Sequence, residues 1–218
     1  MAQPSTPLAV VGSQYCCISE FPVDLAIVVN AGSLMVTDTL DKVMFKLELQ
    51  LSLHHRRIIV DPARNPVVTL RQKIIGTLHG RWKVYMGDSH DKKDLLFTAK
   101  ATSWVQFKTK IHVFLANNTK KKVPDFTLEG NYFERSCIVY SGDGESKSIL
   151  AQMHKNIGST PTMKSLLAGN DNYSVTVYPN VDYAFIVALI AILHSNYSPN
   201  AGAAAAGAGA ATSMILLC

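Results

Sequence analysis

Short runs of β-branched and aromatic residues dominate the chain between about residues 21 and 178, and clusters of Pro, Gly, Asn and Asp separate them. Residues 61–66, Asp-Pro-Ala-Arg-Asn-Pro, lie between the apolar runs 58–60 and 67–70. These residues favour a hairpin loop, because proline has no N–H to donate to a neighbouring strand. A similar short turn lies between residues 36–38 and 43–46. A turn at roughly every 8 to 12 residues is typical of an all-β sandwich or barrel.

The clearest alternation of apolar and polar positions runs through residues 104–114. Alternate side chains of a strand point to opposite faces, so this segment predicts a strand with one face in the core. The predicted inward positions are Val105, Phe107, Thr109, Ile111 and Val113, and the predicted outward positions are Gln106, Lys108, Lys110 and His112.

A second pattern is an internal echo. Residues 82–88 and 137–143 both end in Tyr-x-Gly-Asp, and each segment precedes a further apolar run. Both segments predict hairpins. The echo indicates either the same turn chemistry used twice or a structural repeat.

The C-terminal part of the chain is unusual because the 36 residues from Tyr183 onward contain no Asp, Glu, Lys or Arg. We predict a helix at about residues 180–195, with Asn180 as its N-cap, Asp182 in its first turn and His194 in its last. Residues 183–193 would span roughly 16 Å, too short for about 30 Å of bilayer hydrocarbon. A helix that is apolar on every side must be buried, and a closed antiparallel barrel would enclose it. The residues predicted to form this central helix include Asp182, Tyr183, Ala184, Phe185, Ile186, Ala188, Leu189, Ile190 and Leu193.

Residues 179–189, Pro-Asn-Val-Asp-Tyr-Ala-Phe-Ile-Val-Ala-Leu, closely resemble the terminal helix of plant LURP-one-related proteins. These proteins belong to the tubby C-terminal-like superfamily, which also includes phospholipid scramblases. The resemblance covers about residues 15–195 and implies a mainly β fold, a closed twelve-stranded antiparallel barrel around a central hydrophobic helix. It also implies an association with plant defence. Further segments that match in order and spacing are residues 21–25, 70–73, 81–84, 94–98, 133–137 and 151–155.

Three regions follow from these patterns. Residues 1–14 are predicted to be a flexible N-terminus, residues 15–196 the barrel domain, and residues 197–218 a low-complexity tail. Residues 201–211 are only Ala and Gly. Members of the resembled family carry acidic residues just after the helix, whereas residues 194–197 here lead directly into the uncharged tail.

No pattern of side chains indicates catalysis or a bound cofactor. The histidines form no metal-ligand spacing, and no nucleophile elbow, P-loop or EF-hand occurs. Cys16 and Cys137 are most simply small buried apolar residues, and the spacing of the four cysteines indicates no disulfide framework. The N-terminus shows no basic segment followed by an apolar core. We therefore expect a non-enzymatic protein that is not secreted and is either cytoplasmic or peripheral at the plasma membrane, with nuclear entry left open.

Charge supplies the one candidate for binding. The chain has 21 Lys+Arg against 16 Asp+Glu, a net charge of +5, which favours anionic surfaces but does not require nucleic acid. Each lysine near an anionic leaflet contributes about 1 kcal/mol, so a group of them gives weak, salt-sensitive attachment. The candidate residues are Lys108 and Lys110 on the outer strand face, followed by Lys120, Lys121 and Lys122 in the next loop.

The leading hypothesis is therefore a membrane-tethering or binding module in plant defence-related regulation. Its ligand would be an anionic membrane surface; phosphoinositides are suggested because tubby relatives bind them. One alternative is a protein–protein scaffold that does not touch lipid, with unidentified partners. Lipid scrambling, with the terminal helix crossing the bilayer, is the least favoured because that helix is short. We find no nucleic-acid-binding motif and expect a monomer.

Overall fold

The computed structural model describes residues 6–17, 19–30, 33–50, 56–73, 80–103, 109–142, 147–155 and 171–197. Within these ranges the chain forms twelve β-strands followed by a helix, α1. The strands are β1 (Val23–Asn30), β2 (Ser33–Thr37), β3 (Val43–Gln50), β4 (Arg56–Val60), β5 (Pro66–Lys73), β6 (Arg81–Met86), β7 (Leu95–Ser103), β8 (Thr109–Leu115), β9 (Phe126–Gly130), β10 (Ile138–Ser141), β11 (Ser148–Lys155) and β12 (Asp171–Val177), and α1 is Tyr183–Tyr197.

The strands form a closed antiparallel barrel. Each strand pairs with the next along the chain, and β1 pairs with β12, with Val23 opposite Val177. Asp61 holds the β4–β5 turn by accepting hydrogen bonds from the Asn65 backbone N–H at 2.8 Å and side-chain amide at 2.9 Å. The predicted hairpin at residues 58–70 and the predicted fold class are both confirmed.

The Tyr-x-Gly-Asp echo corresponds to the hairpins β6–β7 and β10–β11. Gly87 and Gly142 both adopt positive φ, at 54° and 72°. Their carbonyls accept hydrogen bonds from the hydroxyls of Thr69 and Thr127, at 2.7 and 2.9 Å. The strand register shifts at the same relative position in each hairpin, directly before Tyr85 and Tyr140. These shared details favour a structural repeat over the reuse of one turn type.

Helix α1 lies inside the barrel. Residues 184–195 are all buried, and the Phe185 ring contacts Phe97 and Phe126 with ring centroids 5.3 and 4.9 Å apart. A large apolar side chain contributes roughly 1.5–3 kcal/mol when fully buried, so the helix is a major source of stability. All the predicted helix residues lie in the buried core except Tyr183, which is half-buried. In the described ranges, no helix has the length and apolar character needed to cross a membrane.

The predicted N-cap is wrong. Asn180 adopts φ of 62° in the turn before the helix, which begins at Tyr183. Asp182 is the cap instead, because its Oδ1 accepts a hydrogen bond from the Phe185 backbone N–H at 3.0 Å. Asp182 therefore lies just before the first turn of the helix, where its negative charge also faces the positive end of the helix dipole.

The same carboxylate holds the N-terminal segment. Asp182 Oδ2 accepts hydrogen bonds from the backbone N–H groups of Val10, Val11 and Gly12 at 3.0, 2.6 and 3.1 Å. Leu8 donates its N–H to the Asn180 carbonyl at 2.7 Å. Residues 8–12 are therefore packed against the start of α1. These residues lie within the predicted flexible N-terminus, residues 1–14.

Candidate anion-binding site

Positive side chains form a ladder on the outer face of three adjacent strands. Lys73 of β5 lies opposite Arg81 of β6, and Arg81 lies opposite Lys100 of β7. Two residues further along each strand, Arg71 of β5 lies opposite Lys83 of β6. The alternation of each strand explains this arrangement, because Trp82 and Ala99, which neighbour these cations along β6 and β7, are buried in the core. Like charges directly opposite one another destabilise a sheet, so the ladder costs stability in the absence of an anion.

The ladder borders a surface cavity of about 300 Å³, which we call the basic groove. Phe114 gives it an apolar wall, and its side chain is largely buried. Among the described residues, five cationic side chains line the groove and no carboxylate does. Its lining residues are Lys73, Arg81, Trp82, Lys83, Thr98, Ala99, Lys100, Phe114 and Lys121.

Lys121 reaches the groove from the turn between β8 and β9. Its Nζ donates a hydrogen bond to Thr98 Oγ1 at 3.0 Å, and its backbone has φ of 49°. Asn118 fixes this conformation by accepting a hydrogen bond from the Lys121 backbone N–H at 3.0 Å. Partial burial lowers the pKa of Lys121, and the nearby charges of Lys83 and Arg81 lower it further.

The charge of the groove is not neutralised within the described part of the chain. No carboxylate there forms an ion pair with any of its five cations. Lys110 and Lys147 differ, because both contact Glu129 Oε1, at 2.9 and 3.2 Å. Burial raises the pKa of Glu129, but its hydrogen bonds and charge interactions with the two lysines outweigh that effect and lower the pKa overall.

The structure divides the lysines predicted from sequence. Lys121 lines the groove, whereas Lys110 is paired with Glu129. Lys120 and Lys122 are exposed in the same turn as Lys121 but do not line the groove. Lys108 lies outside the described residues. In the described part of that strand, Thr109, Ile111 and Val113 are buried as predicted, while Lys110 and His112 face outward.

Sequence reasoning missed the four strand cations that form most of the groove. Lys73, Arg81, Lys83 and Lys100 lie on three strands and are separated by turns. The sequence does contain a signal of this surface. Basic residues occupy alternating, outward positions in two strands, at 71 and 73 and at 81 and 83. That signal becomes a surface only when β5, β6 and β7 are placed side by side.

A buried cation lies inside the barrel, near the C-terminal end of α1. Arg57 is 6% exposed, and its guanidinium carbon lies 5.2 Å from the centre of the Trp82 ring. Trp82 donates its Nε1–H to Asn196 Oδ1 at 2.9 Å, which ties this ring to the helix. Burial lowers the pKa of Arg57. Within the described part of the chain, Arg57 Nη1 has no hydrogen-bond partner.

Other candidate chemistry is not supported by the geometry. Cys16, Cys17 and Cys137 are free thiols and are buried, and burial raises the pKa of Cys137 to about 12 despite the nearby charge of Arg135. Such a thiol is a poor nucleophile at neutral pH. Among the described side chains, no group of three His, Cys, Asp or Glu converges in a way that would hold a metal ion.

Known proteins match this chain over most of its length. The profile of the LURP-one-related family matches residues 25–194. Protein LURP-one-related 15 of Arabidopsis thaliana is 45% identical over 190 residues, covering 84% of this chain and 83% of that protein. Protein LURP1 of the same plant is 43% identical over 193 residues, covering 86% and 89%. Neither name denotes an enzyme.

A solved structure also matches. The X-ray structure of an Arabidopsis thaliana protein that is 41% identical superposes with a TM-score of 0.68, covering 87% of this chain and 98% of that one. The sequence matches and this shared fold agree. The chain belongs to the LURP-one-related family.

Proposed function

We propose that this protein is a non-enzymatic binding module that attaches weakly to phosphate-rich membrane surfaces through the basic groove, with phosphoinositide headgroups as the preferred ligand. The observation that supports the proposal is the set of five cations around one cavity whose described lining includes no carboxylate. A phosphate group would relieve the repulsion between opposed side chains such as Arg81 and Lys100. The setting in plant defence-related regulation, and a location peripheral to the plasma membrane, rest on the family resemblance alone.

The expected affinity follows from the number of charges. At about 1 kcal/mol for each basic side chain near an anionic leaflet, five cations give about 5 kcal/mol, which corresponds to a dissociation constant of roughly 0.2 mM. Exposed charges are screened over about 8 Å at physiological ionic strength. Binding should therefore weaken steeply as salt is added. It would need a second contact, or a high local density of headgroups, to hold the protein at a membrane.

Flotation with liposomes tests the proposal. Vesicles of phosphatidylcholine alone are compared with vesicles that also contain a phosphatidylinositol bisphosphate. A third set contains phosphatidylserine in the amount that gives the same total charge as the phosphoinositide. Each set is measured at low and at physiological salt. We expect flotation with the phosphoinositide vesicles at low salt and much less at high salt. Equal flotation with phosphatidylserine would support a general anionic surface and remove the headgroup preference.

A charge-reversal variant and a matched control locate the contact. Arg81→Glu, Lys83→Glu and Lys100→Glu together reverse three charges of the groove. Lys42→Glu, Lys92→Glu and Lys93→Glu reverse three exposed charges outside it, so both variants have the same net charge. The groove variant should lose flotation and the control should keep it. If the wild-type protein does not float at low salt and the two variants behave alike, lipid binding is excluded. The result would then support the alternative of a protein–protein scaffold.

A further inference from the structure

We propose that Lys121 is an amine nucleophile that forms an imine preferentially with small phosphorylated aldehydes held in the basic groove. The inference rests on the anion-binding groove of the proposed function and adds to it a covalent modification site with a defined class of reactant. The phosphate group would be bound by the strand cations, and the carbonyl carbon would meet the lysine amine.

The position of Lys121 supports this assignment. Its Nζ lies in the groove at 3.0 Å from Thr98 Oγ1, on the strand that also carries Lys100. The turn that carries it is fixed, because Asn118 accepts the Lys121 N–H and donates its own amide to Asp125 Oδ2 at 2.9 Å. Lys121 and the strand cations therefore line one cavity, and its volume of about 300 Å³ would accommodate a molecule of the size of a triose phosphate.

The electrostatic surroundings raise the fraction of Lys121 that carries a neutral amine. Burial and the charges of Lys83 and Arg81 lower the pKa of Lys121, and no described carboxylate pairs with its ammonium group. A lysine beside other cations is a recognised way to activate an amine toward carbonyl compounds. Lys110 is a contrasting case on the same face of the barrel, because Glu129 contacts its ammonium at 2.9 Å and stabilises the charged form.

The reaction balances without a cofactor. The lone pair of the neutral Nζ attacks the carbonyl carbon, and the carbonyl oxygen takes up a proton to give a carbinolamine. Loss of water then forms the C=N bond. Water hydrolyses the imine back to the amine and the aldehyde, and cyanoborohydride supplied by the experimenter reduces it to a stable secondary amine.

Trapping with a matched pair of aldehydes tests the proposal. The full chain is incubated with glyceraldehyde 3-phosphate or with glyceraldehyde, reduced with cyanoborohydride, digested and mapped by mass spectrometry. Lys120 and Lys122 are internal controls, since both are exposed in the same turn. With the phosphorylated aldehyde we expect Lys121 to carry more than about tenfold the label of either neighbour, because bound reactants have a raised effective concentration. Inorganic phosphate should reduce that excess, and glyceraldehyde should show none.

Two variants test the roles of the strand cations and of the amine. Lys83→Gln with Arg81→Gln should bring labelling of Lys121 down to the level of Lys120. Lys121→Arg removes the reactive amine, so the adduct at this position should be lost while Lys120 and Lys122 keep their wild-type label. If wild-type Lys121 is labelled no more than Lys120, or equally by both aldehydes, the proposal is overturned even if lipid binding persists. A phosphate-dependent adduct at Lys121 in a protein that fails to float would support it and overturn only the membrane role.

Discussion

Replacing Asp182 with alanine would leave four backbone N–H groups without their acceptor. Three of these groups, at residues 10–12, belong to the N-terminal segment, and the fourth, at Phe185, belongs to the first turn of α1. The carboxylate is fully buried. Its loss therefore detaches the N-terminal segment and removes the helix cap in one change.

The size of the effect follows from these contacts. Loss of an N-cap costs about 1 kcal/mol. A buried N–H without a partner costs about 1–3 kcal/mol, and this full cost applies to Val11, which is 4% exposed. The N–H groups of Val10 and Gly12 are only partly buried, so water can replace part of what they lose. Together these losses give about 4 kcal/mol, a large share of the 5–15 kcal/mol that stabilises an ordinary domain.

Urea denaturation followed by circular dichroism measures the change. With a slope of about 2–3 kcal/mol per molar urea, the midpoint should fall by about 1.5 M. Asp182→Asn keeps one acceptor oxygen and should lose less. Asp91→Ala is the matched control, since this exposed carboxylate makes no capping hydrogen bond. A loss below about 1 kcal/mol in Asp182→Ala would refute the reasoning, because it would show that neither the cap nor the N-terminal contact depends on the carboxylate.

Three further outcomes are expected. Ile190→Asp places an unpaired carboxyl at a position only 2% exposed, so we expect a loss of more than about 4 kcal/mol; an unchanged melting temperature would contradict the central helix. Arg57→Met removes a buried guanidinium whose Nη1 has no described partner and should raise the free energy of unfolding by about 1 kcal/mol; a drop of that size would show that the contact with Trp82 dominates. Glu129 has a lowered pKa in the folded state, so its contribution to stability is present above about pH 4.5 and is lost as the pH falls through the folded value. Urea titrations of wild type and Glu129→Gln should therefore differ at pH 7, and the difference should shrink as the pH is lowered below about 4.5. A constant difference would mean that the ion pairs with Lys110 and Lys147 contribute nothing.

The buried helix was predictable because its signal is local. A segment with no charge and apolar residues on every side, Ala184 and Ile190 among them, has to be enclosed by protein or lipid, and its length decided between the two. The exact start was not predictable. Asn180 and Asp182 are both good capping residues, and only the left-handed conformation of Asn180 in the preceding turn decides which of them caps.

The binding surface was harder to predict because it depends on which strands are neighbours. Lys110 belongs to a basic run in the sequence, but β8 pairs with β9 so that Glu129 lies directly opposite it. Lys100 and Arg81 belong to different strands, and their strand register brings them together. A sequence shows the charges of a single strand, whereas the net charge of a surface depends on the strands beside it.

The order of elements along the chain determines when this protein is able to fold. The barrel closes only when β1 pairs with β12, which begins at Asp171, and the helix that fills it comes later still. Asp182 then binds the N–H of Gly12, 170 residues earlier in the chain. During synthesis the ribosome therefore releases the apolar strands well before their core exists. Contacts of such long range form slowly, and the nascent chain must avoid aggregation until α1 has been made.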